Sequence, residues 1–100
     1  MSKTDDRRFE GKVIVITGAG GNFGREGCLF FALRGALVAA VDKNAEAVEE
    51  TVQYVNQSVA SDGDRIKAWE CDVTSVSSVE SAISSIVDRW GTIDLLWNNA

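Results

Sequence analysis

The sequence predicts a doubly wound α/β domain built on a parallel sheet. Three observations carry this expectation. Strand-sized segments occur at Val13–Thr17, Leu37–Val41, Arg65–Cys71 and Ile93–Trp97, the first two continuously apolar up to Ile16 and Val41. Helix-like segments separate them, each long enough for the crossover that parallel strands need. The first crossover opens on a glycine-rich octet, Thr17-Gly18-Ala19-Gly20-Gly21-Asn22-Phe23-Gly24. The resulting order is β-α-β-α-β-α-β.

Val13-Ile14-Val15-Ile16 is continuously apolar, as expected for a strand covered on both faces. The following helix is predicted over Phe23–Arg34, with Phe23, Leu29, Phe30, Phe31 and Leu33 as its apolar residues and Gly35 as its stop. Leu37–Val41 is the second strand and ends at Asp42. Asn44 is a natural N-cap for a helix running to about Ala60, with Val48, Val52 and Val55 facing inward. Ser61-Asp62-Gly63-Asp64 reads as a turn, and Arg65–Cys71 as the third strand. Asp72-Val73-Thr74 leads into a helix from Ser75 to Trp90. Its apolar residues Val76, Val79, Ile83, Ile86, Val87 and Trp90 fall at helical spacing, and Gly91 closes it. Ile93–Trp97 is the fourth strand. The chain has no proline, so no predicted helix carries a proline break.

One hundred residues, 45% of them apolar, suit a single domain. Residues 1–8 read as a polar tail and 9–100 as the folded part. A net charge of -5 offers no footprint for nucleic acid. The absence of histidine excludes histidine-based acid–base chemistry and histidine metal sites within the chain. Cys28 and Cys71 match no metal or redox spacing and suit buried thiols in a reducing compartment. No apolar run has the length of a signal peptide core or a membrane span. A cytoplasmic location and no membrane partner are the expectation.

A strand, a glycine-rich turn and a helix form a common diphosphate site. The helix start offers unpaired N–H groups and a partial positive charge, and glycines let the backbone approach the phosphates. Asp42 ends the next strand, 22 residues beyond Gly20 and 18 beyond Gly24. That is the expected distance for a carboxylate accepting the adenosine ribose hydroxyls of a dinucleotide. A carboxylate there repels a 2′-phosphate, which favours NAD over NADP. Lys43 beside it reads as a solvated turn lysine.

The third glycine, Gly24, comes one residue too late for the G-x-G-x-x-G spacing. The octet instead resembles the T-G-x-x-x-G-x-G motif of the short-chain dehydrogenase/reductase family, with Asn22 where a glycine is usual. Asparagine tolerates a left-handed backbone better than other side chains do, so the turn is expected to survive. Asp72-Val73 resembles the family's pair flanking the adenine ring, with a helix-capping acid as the alternative role for Asp72. Asn98-Asn99-Ala100 resembles the start of the family's Asn-Asn-Ala-Gly motif, which supports the sheet and contacts cofactor. Within the family, these motifs are most similar to polyol dehydrogenases of the xylitol-oxidising kind. The resemblance implies a Rossmann-like fold and NAD as cofactor. It also implies a cofactor-binding set of Gly18, Gly20, Gly21, Asn22, Phe23, Gly24, Asp42, Asp72, Val73, Asn98 and Ala100.

The family's catalytic serine and Tyr-x-x-x-Lys pair have no match. Tyr54 is followed four residues later by Ser58, and Ser77, Ser78, Ser81, Ser84 and Ser85 form a polar helix face. The chain therefore reads as the N-terminal half of an oxidoreductase acting on an alcohol or ketone. The alternative is a non-catalytic dinucleotide-binding module or an inactive fragment. A homo-oligomer is expected for the longer enzyme. In strand order 3-2-1-4, Leu95, Leu96 and Trp97 would form an apolar edge, so the isolated chain is expected to self-associate.

Overall fold

The computed structural model describes residues 8–59 and 65–99. Its elements run β1 (Val13–Thr17), α1 (Asn22–Leu33), β2 (Leu37–Asp42), α2 (Ala45–Ser58), β3 (Ile66–Glu70), α3 (Val76–Trp90) and β4 (Leu95–Asn98). The strands form one parallel sheet in the order β3-β2-β1-β4. The order reverses direction beside β1, the switch point at which open α/β sheets bind ligands. The predicted Rossmann-like fold is therefore observed.

Strand alternation divides the core. Ile14, Ile16, Val38, Ala40 and Ile66 face α1 and α2, together with Cys28, Ala32, Val48 and Val55. Val13, Val15, Ala39 and Val41 face α3, together with Cys71, Ala82 and Ile86. Both faces of β1 and β2 are thus covered, which explains their unbroken apolar runs. Burial pushes the Cys28 thiol up to about 12, as befits an inert packing thiol.

The helices differ from the sequence expectation in which residues they bury. On α1 the buried residues are Gly24, Gly27, Cys28 and Ala32, while Phe23, Phe30 and Leu33 are exposed. Small residues let α1 lie close on the sheet. A Cβ on Gly27 would collide with the Trp97 ring, whose Cε3 and Cη2 lie 2.8 Å away. On α2 the buried line is Val48, Thr51 and Val55 rather than Val48, Val52 and Val55. Val52 is half-buried and packs at the margin of the same core. On α3 only Ala82 and Ile86 are buried, and Val76, Ile83 and Val87 are exposed.

Element ends shift by small amounts. Asn22, not Phe23, is the first residue of α1, and Arg34 is its C-cap, followed by Gly35 at φ 94°. The Asn44 carboxamide caps α2 by accepting from the Ala47 N–H at 3.0 Å. Helix α2 ends at Ser58; Ala60 and the turn expected at 61–64 lie outside the described residues. Strand β4 starts at Leu95 rather than Ile93. Just before it, the Asp94 carboxylate accepts from the Val13 N–H at 2.8 Å, and the Asp94 N–H donates to the Val13 carbonyl at 2.9 Å. A side chain thus takes the place of a ladder bond at that end.

Strand β4 is the sheet edge beside β1, and all four of its residues are exposed. Leu95, Leu96 and Trp97 bound an open apolar groove of about 560 Å³ against Phe23, Phe30 and Phe31 of α1. Among the described residues no helix is long and apolar enough to cross a membrane.

Candidate functional site

The carboxyl ends of β1, β2, β3 and β4 bring Thr17, Asp42, Cys71 and Asn98 to one side of the sheet. The turn after β1 is built there by backbone interactions. Gly18 stands at φ 66°, a left-handed conformation that suits glycine alone at low cost. Its carbonyl accepts from the Gly21 N–H at 3.1 Å, and the Ala19 N–H reaches the Val41 carbonyl at 3.0 Å. Gly24 packs on the Gly18 carbonyl, with Ala19 Cα 2.7 Å from where a Cβ would stand. Gly20 packs as closely on α2: a Cβ there would lie 2.7 Å from the Ala47 Cβ. Gly24 and Gly20 are therefore glycines because neighbouring protein atoms occupy the side-chain space. Gly21 is different, with only the Gly18 carbonyl nearby, at 3.6 Å.

The left-handed position expected at Asn22 is not found there. No residue other than glycine has positive φ among the described residues, and Asn22 already lies in α1. The turn bends at Gly18, so asparagine replaces the usual glycine without backbone strain.

The three helix starts are unequal. Asn44 caps α2, and the Ser75 hydroxyl caps α3 by accepting from the Ser78 N–H at 3.3 Å. Gly21, the N-cap of α1, has no side chain to offer, and none caps that helix. The α1 start keeps N–H groups and a partial positive charge directed at the switch point.

Asp42 reaches back over the turn. Its Oδ2 accepts from the Gly20 N–H at 2.8 Å and its Oδ1 from the Asn44 N–H at 2.9 Å. The carboxylate thus ties β2, the glycine turn and the start of α2 together, a task the sequence did not reveal. Asp42 also lines a cleft of about 370 Å³ with Gly18, Lys43, Cys71, Asp72, Val73 and Thr74. Four of the sequence-predicted site residues, Gly18, Asp42, Asp72 and Val73, meet in this cleft. Val73 and Cys71 also bound a neighbouring apolar recess of about 180 Å³, which Asn98 lines from β4. Phe23 lies elsewhere: it is 80% exposed and borders the groove against β4. Ala100 lies outside the described residues.

Asp72 folds its own loop. Its Oδ1 accepts from the Thr74 N–H at 3.0 Å and from the Thr74 hydroxyl at 2.6 Å. The N-cap of α3 is Ser75, so Asp72 is not the capping acid. The two Thr74 donors, with a smaller contribution from the Lys43 charge, hold the Asp72 carboxyl below the usual carboxylate range. A lowered folded-state pKa means the stabilisation is complete above the unfolded-state pKa and is lost as pH falls through the folded value. Urea unfolding of the parent and Asp72→Asn should therefore differ most above about pH 4 and converge in more acidic solution. A constant gap down to the acid limit would exclude this role.

Asn98 sits opposite Thr17 in the β1–β4 register. The Thr17 hydroxyl donates to Asn98 Oδ1 at 2.8 Å and accepts from the Asn99 N–H at 2.9 Å. The pair fastens the edge strand at the mouth of the site. Tyr54 lies on α2 and donates to Glu26 Oε2 at 3.0 Å. That hydrogen bond pushes the phenol pKa up, the wrong direction for a tyrosinate that takes a proton.

A parallel sheet in the order β3-β2-β1-β4 with an uncapped helix start at its switch point places the chain among the doubly wound α/β proteins. Residues 12–100 match the family model for short chain dehydrogenase. The whole chain is 35% identical to the 7alpha-hydroxysteroid dehydrogenase of Escherichia coli strain K12 and covers 38% of it. It is also 35% identical to the D-threitol dehydrogenase of Mycolicibacterium smegmatis, covering 100% of this chain and 37% of that one. Among solved structures, an NAD+-bound xylitol dehydrogenase superposes with a TM-score of 0.85 at 40% identity, over 93% of this chain and 34% of that one. A 3-ketoacyl-(acyl-carrier-protein) reductase from Brucella melitensis, complexed with NADH, superposes at 0.77 with 32% identity, over 87% of this chain and 33% of that one. The chain belongs to the short-chain dehydrogenase/reductase family. It spans little more than a third of the length of these relatives.

Proposed function

We propose that residues 9–100 hold the adenosine-diphosphate half of NAD for a dehydrogenase acting on an alcohol or its carbonyl product. One observation carries the reading. The uncapped α1 start, the Gly18–Gly24 turn and the cleft holding Asp42 and Asp72 converge at one end of the sheet. The residues fit the group. The N–H groups at the α1 start face the diphosphate, and Gly21 leaves room for it. Asp42 accepts the ribose hydroxyls, while Asp72 and Val73 border the adenine. The solved neighbours holding NAD+ and NADH support the choice of cofactor, and Asp42 supports NAD over NADP. Bound NAD supplies the hydride acceptor. Three of the four named relatives are dehydrogenases of a hydroxysteroid, threitol and xylitol and the fourth is a ketoacyl reductase, which supports an alcohol or its carbonyl product as substrate. Two buried, unpaired thiols support a cytoplasmic setting.

Calorimetric titration of the protein with NADH and with ADP-ribose tests the reading. Both should bind and compete for one site. A folded chain that binds neither rejects it.

We further propose that the chain on its own pairs with a second copy through β4, whose N–H and C=O groups form an open edge flanked by Leu95, Leu96 and Trp97. Sedimentation should show dimers or larger species, reduced by Leu96→Lys. A monodisperse monomer would reject the pairing.

A further inference from the structure

We infer that Thr51 is a positioning residue for the phosphate-binding turn, acting from α2 through the Ala19 carbonyl. The inference rests on the nucleotide reading above and adds a residue that neither the glycine motif nor the strand-end acids contain.

Thr51 is 0% exposed in the middle of α2. A buried hydroxyl needs a partner, and this one finds it outside its own helix. It donates to the Ala19 carbonyl at 2.7 Å, across 32 residues of chain. The Ala47 carbonyl, the usual acceptor for a helical threonine, is farther away at 3.4 Å. A hydroxyl has one proton to give. The Arg25 Nε–H donates to Thr51 Oγ1 at 3.4 Å from α1, occupying a lone pair and leaving the proton for Ala19. Arg25 is itself held over the Tyr54 ring, 5.7 Å from its centroid, and within 3.9 Å of Glu50.

The turn is therefore gripped at successive peptide groups. Val41 holds the Ala19 N–H, Thr51 holds the Ala19 carbonyl and Asp42 holds the Gly20 N–H. The Ala19 carbonyl and the Gly20 N–H belong to one peptide unit. Because that unit is planar, Thr51 on one side and Asp42 on the other fix its orientation. This unit leads into Gly21 and the α1 start, where the diphosphate would sit. Losing the Thr51 proton leaves the unit held by Asp42 alone and a buried carbonyl without its donor.

The test compares Thr51→Val, which keeps the shape and loses the hydroxyl, with Thr51→Ser, which keeps the hydroxyl and loses the methyl. ADP-ribose and adenosine are the probes, followed by calorimetry or competition with NADH. Thr51→Val should lose about fivefold to tenfold in ADP-ribose affinity, the worth of one hydrogen bond. Adenosine, which has no diphosphate and meets the turn only through Asp42 and Gly18, should lose less than about twofold. Thr51→Ser should stay near the parent despite its small cavity. Unchanged ADP-ribose affinity in Thr51→Val overturns the inference. So does an equal loss for both probes, or a Thr51→Ser variant as weak as Thr51→Val. Amide exchange of the ligand-free proteins provides a separate readout. The Ala19 and Gly20 N–H groups should exchange faster in Thr51→Val than in Thr51→Ser, and equal rates would overturn the clamp. If the parent binds no ADP-ribose, the nucleotide reading falls, while the exchange rates still decide whether Thr51 holds the turn.

Discussion

Gly24→Ala is expected to abolish NADH binding and to destabilise the fold by about 3 kcal/mol. The added methyl would overlap the Gly18 carbonyl oxygen, with the Gly18 carbonyl carbon 2.8 Å and Ala19 Cα 2.7 Å away. All of these are backbone atoms, and no rotamer change relieves them. Either α1 moves off the end of β1 or the turn opens. Both outcomes displace the N–H groups that would meet the diphosphate. Gly21→Ala is the control for stability alone. Its backbone has φ -87° and ψ 176°, which any residue adopts, and its new methyl would meet only the Gly18 carbonyl, at 3.6 Å. Stability should change by less than about 1 kcal/mol. Urea unfolding of both variants, with NADH titration of Gly24→Ala, checks the contrast. Similar losses of stability would show that the close approach of Gly24 to Gly18 does not govern the turn.

The parts of this chain that were legible in the sequence are those set by local spacing. The Val13–Thr17 run, the octet and the Asp42 position each follow from a few consecutive residues or one fixed interval, and each fell where expected. The helical faces were harder. The sequence marks Phe23, Phe30 and Leu33 among the apolar residues of α1 but does not say which of its residues meet the sheet. The sheet receives Gly24, Gly27, Cys28 and Ala32, because a helix lying this close needs small residues at the contact. Hydrophobic periodicity registers size and polarity, not the distance between two backbones. Thr51 escaped for a related reason: its polar side chain interrupts the valine stripe, and the acceptor that makes its burial tolerable comes from the distant turn. The clasp between Thr17 and Asn98 likewise depends on two strands far apart in sequence that become neighbours only in the sheet. Asn22 reversed the expectation most simply. The left-handed bend sits at Gly18, four residues earlier, so the irregular position in the motif carries no strain.

Asp42→Ala should weaken NADH binding roughly thirtyfold, about 2 kcal/mol, because a charged acceptor is removed. The ribose hydroxyls lose their partner, and so do the Gly20 and Asn44 N–H groups that the carboxylate now satisfies. The cost to NADPH should be smaller. Removing the negative charge also removes its repulsion of the 2′-phosphate, and Lys43 lines the same cleft. The ratio of NADH to NADPH affinity should therefore fall even as both ligands bind less well. Asp42→Asn separates the two effects. The carboxamide oxygen can still accept from one of the two N–H groups, so more of the turn's geometry survives, while the charge is gone. NADPH should bind Asp42→Asn more tightly than Asp42→Ala, and the shift in preference should be clearer. Calorimetric titration of the parent and both variants with each dinucleotide reads all of these quantities. Tighter NADPH than NADH binding by the parent would refute the NAD preference. An unchanged ratio in both variants would place the ribose away from Asp42 and leave the carboxylate as a brace for the turn alone.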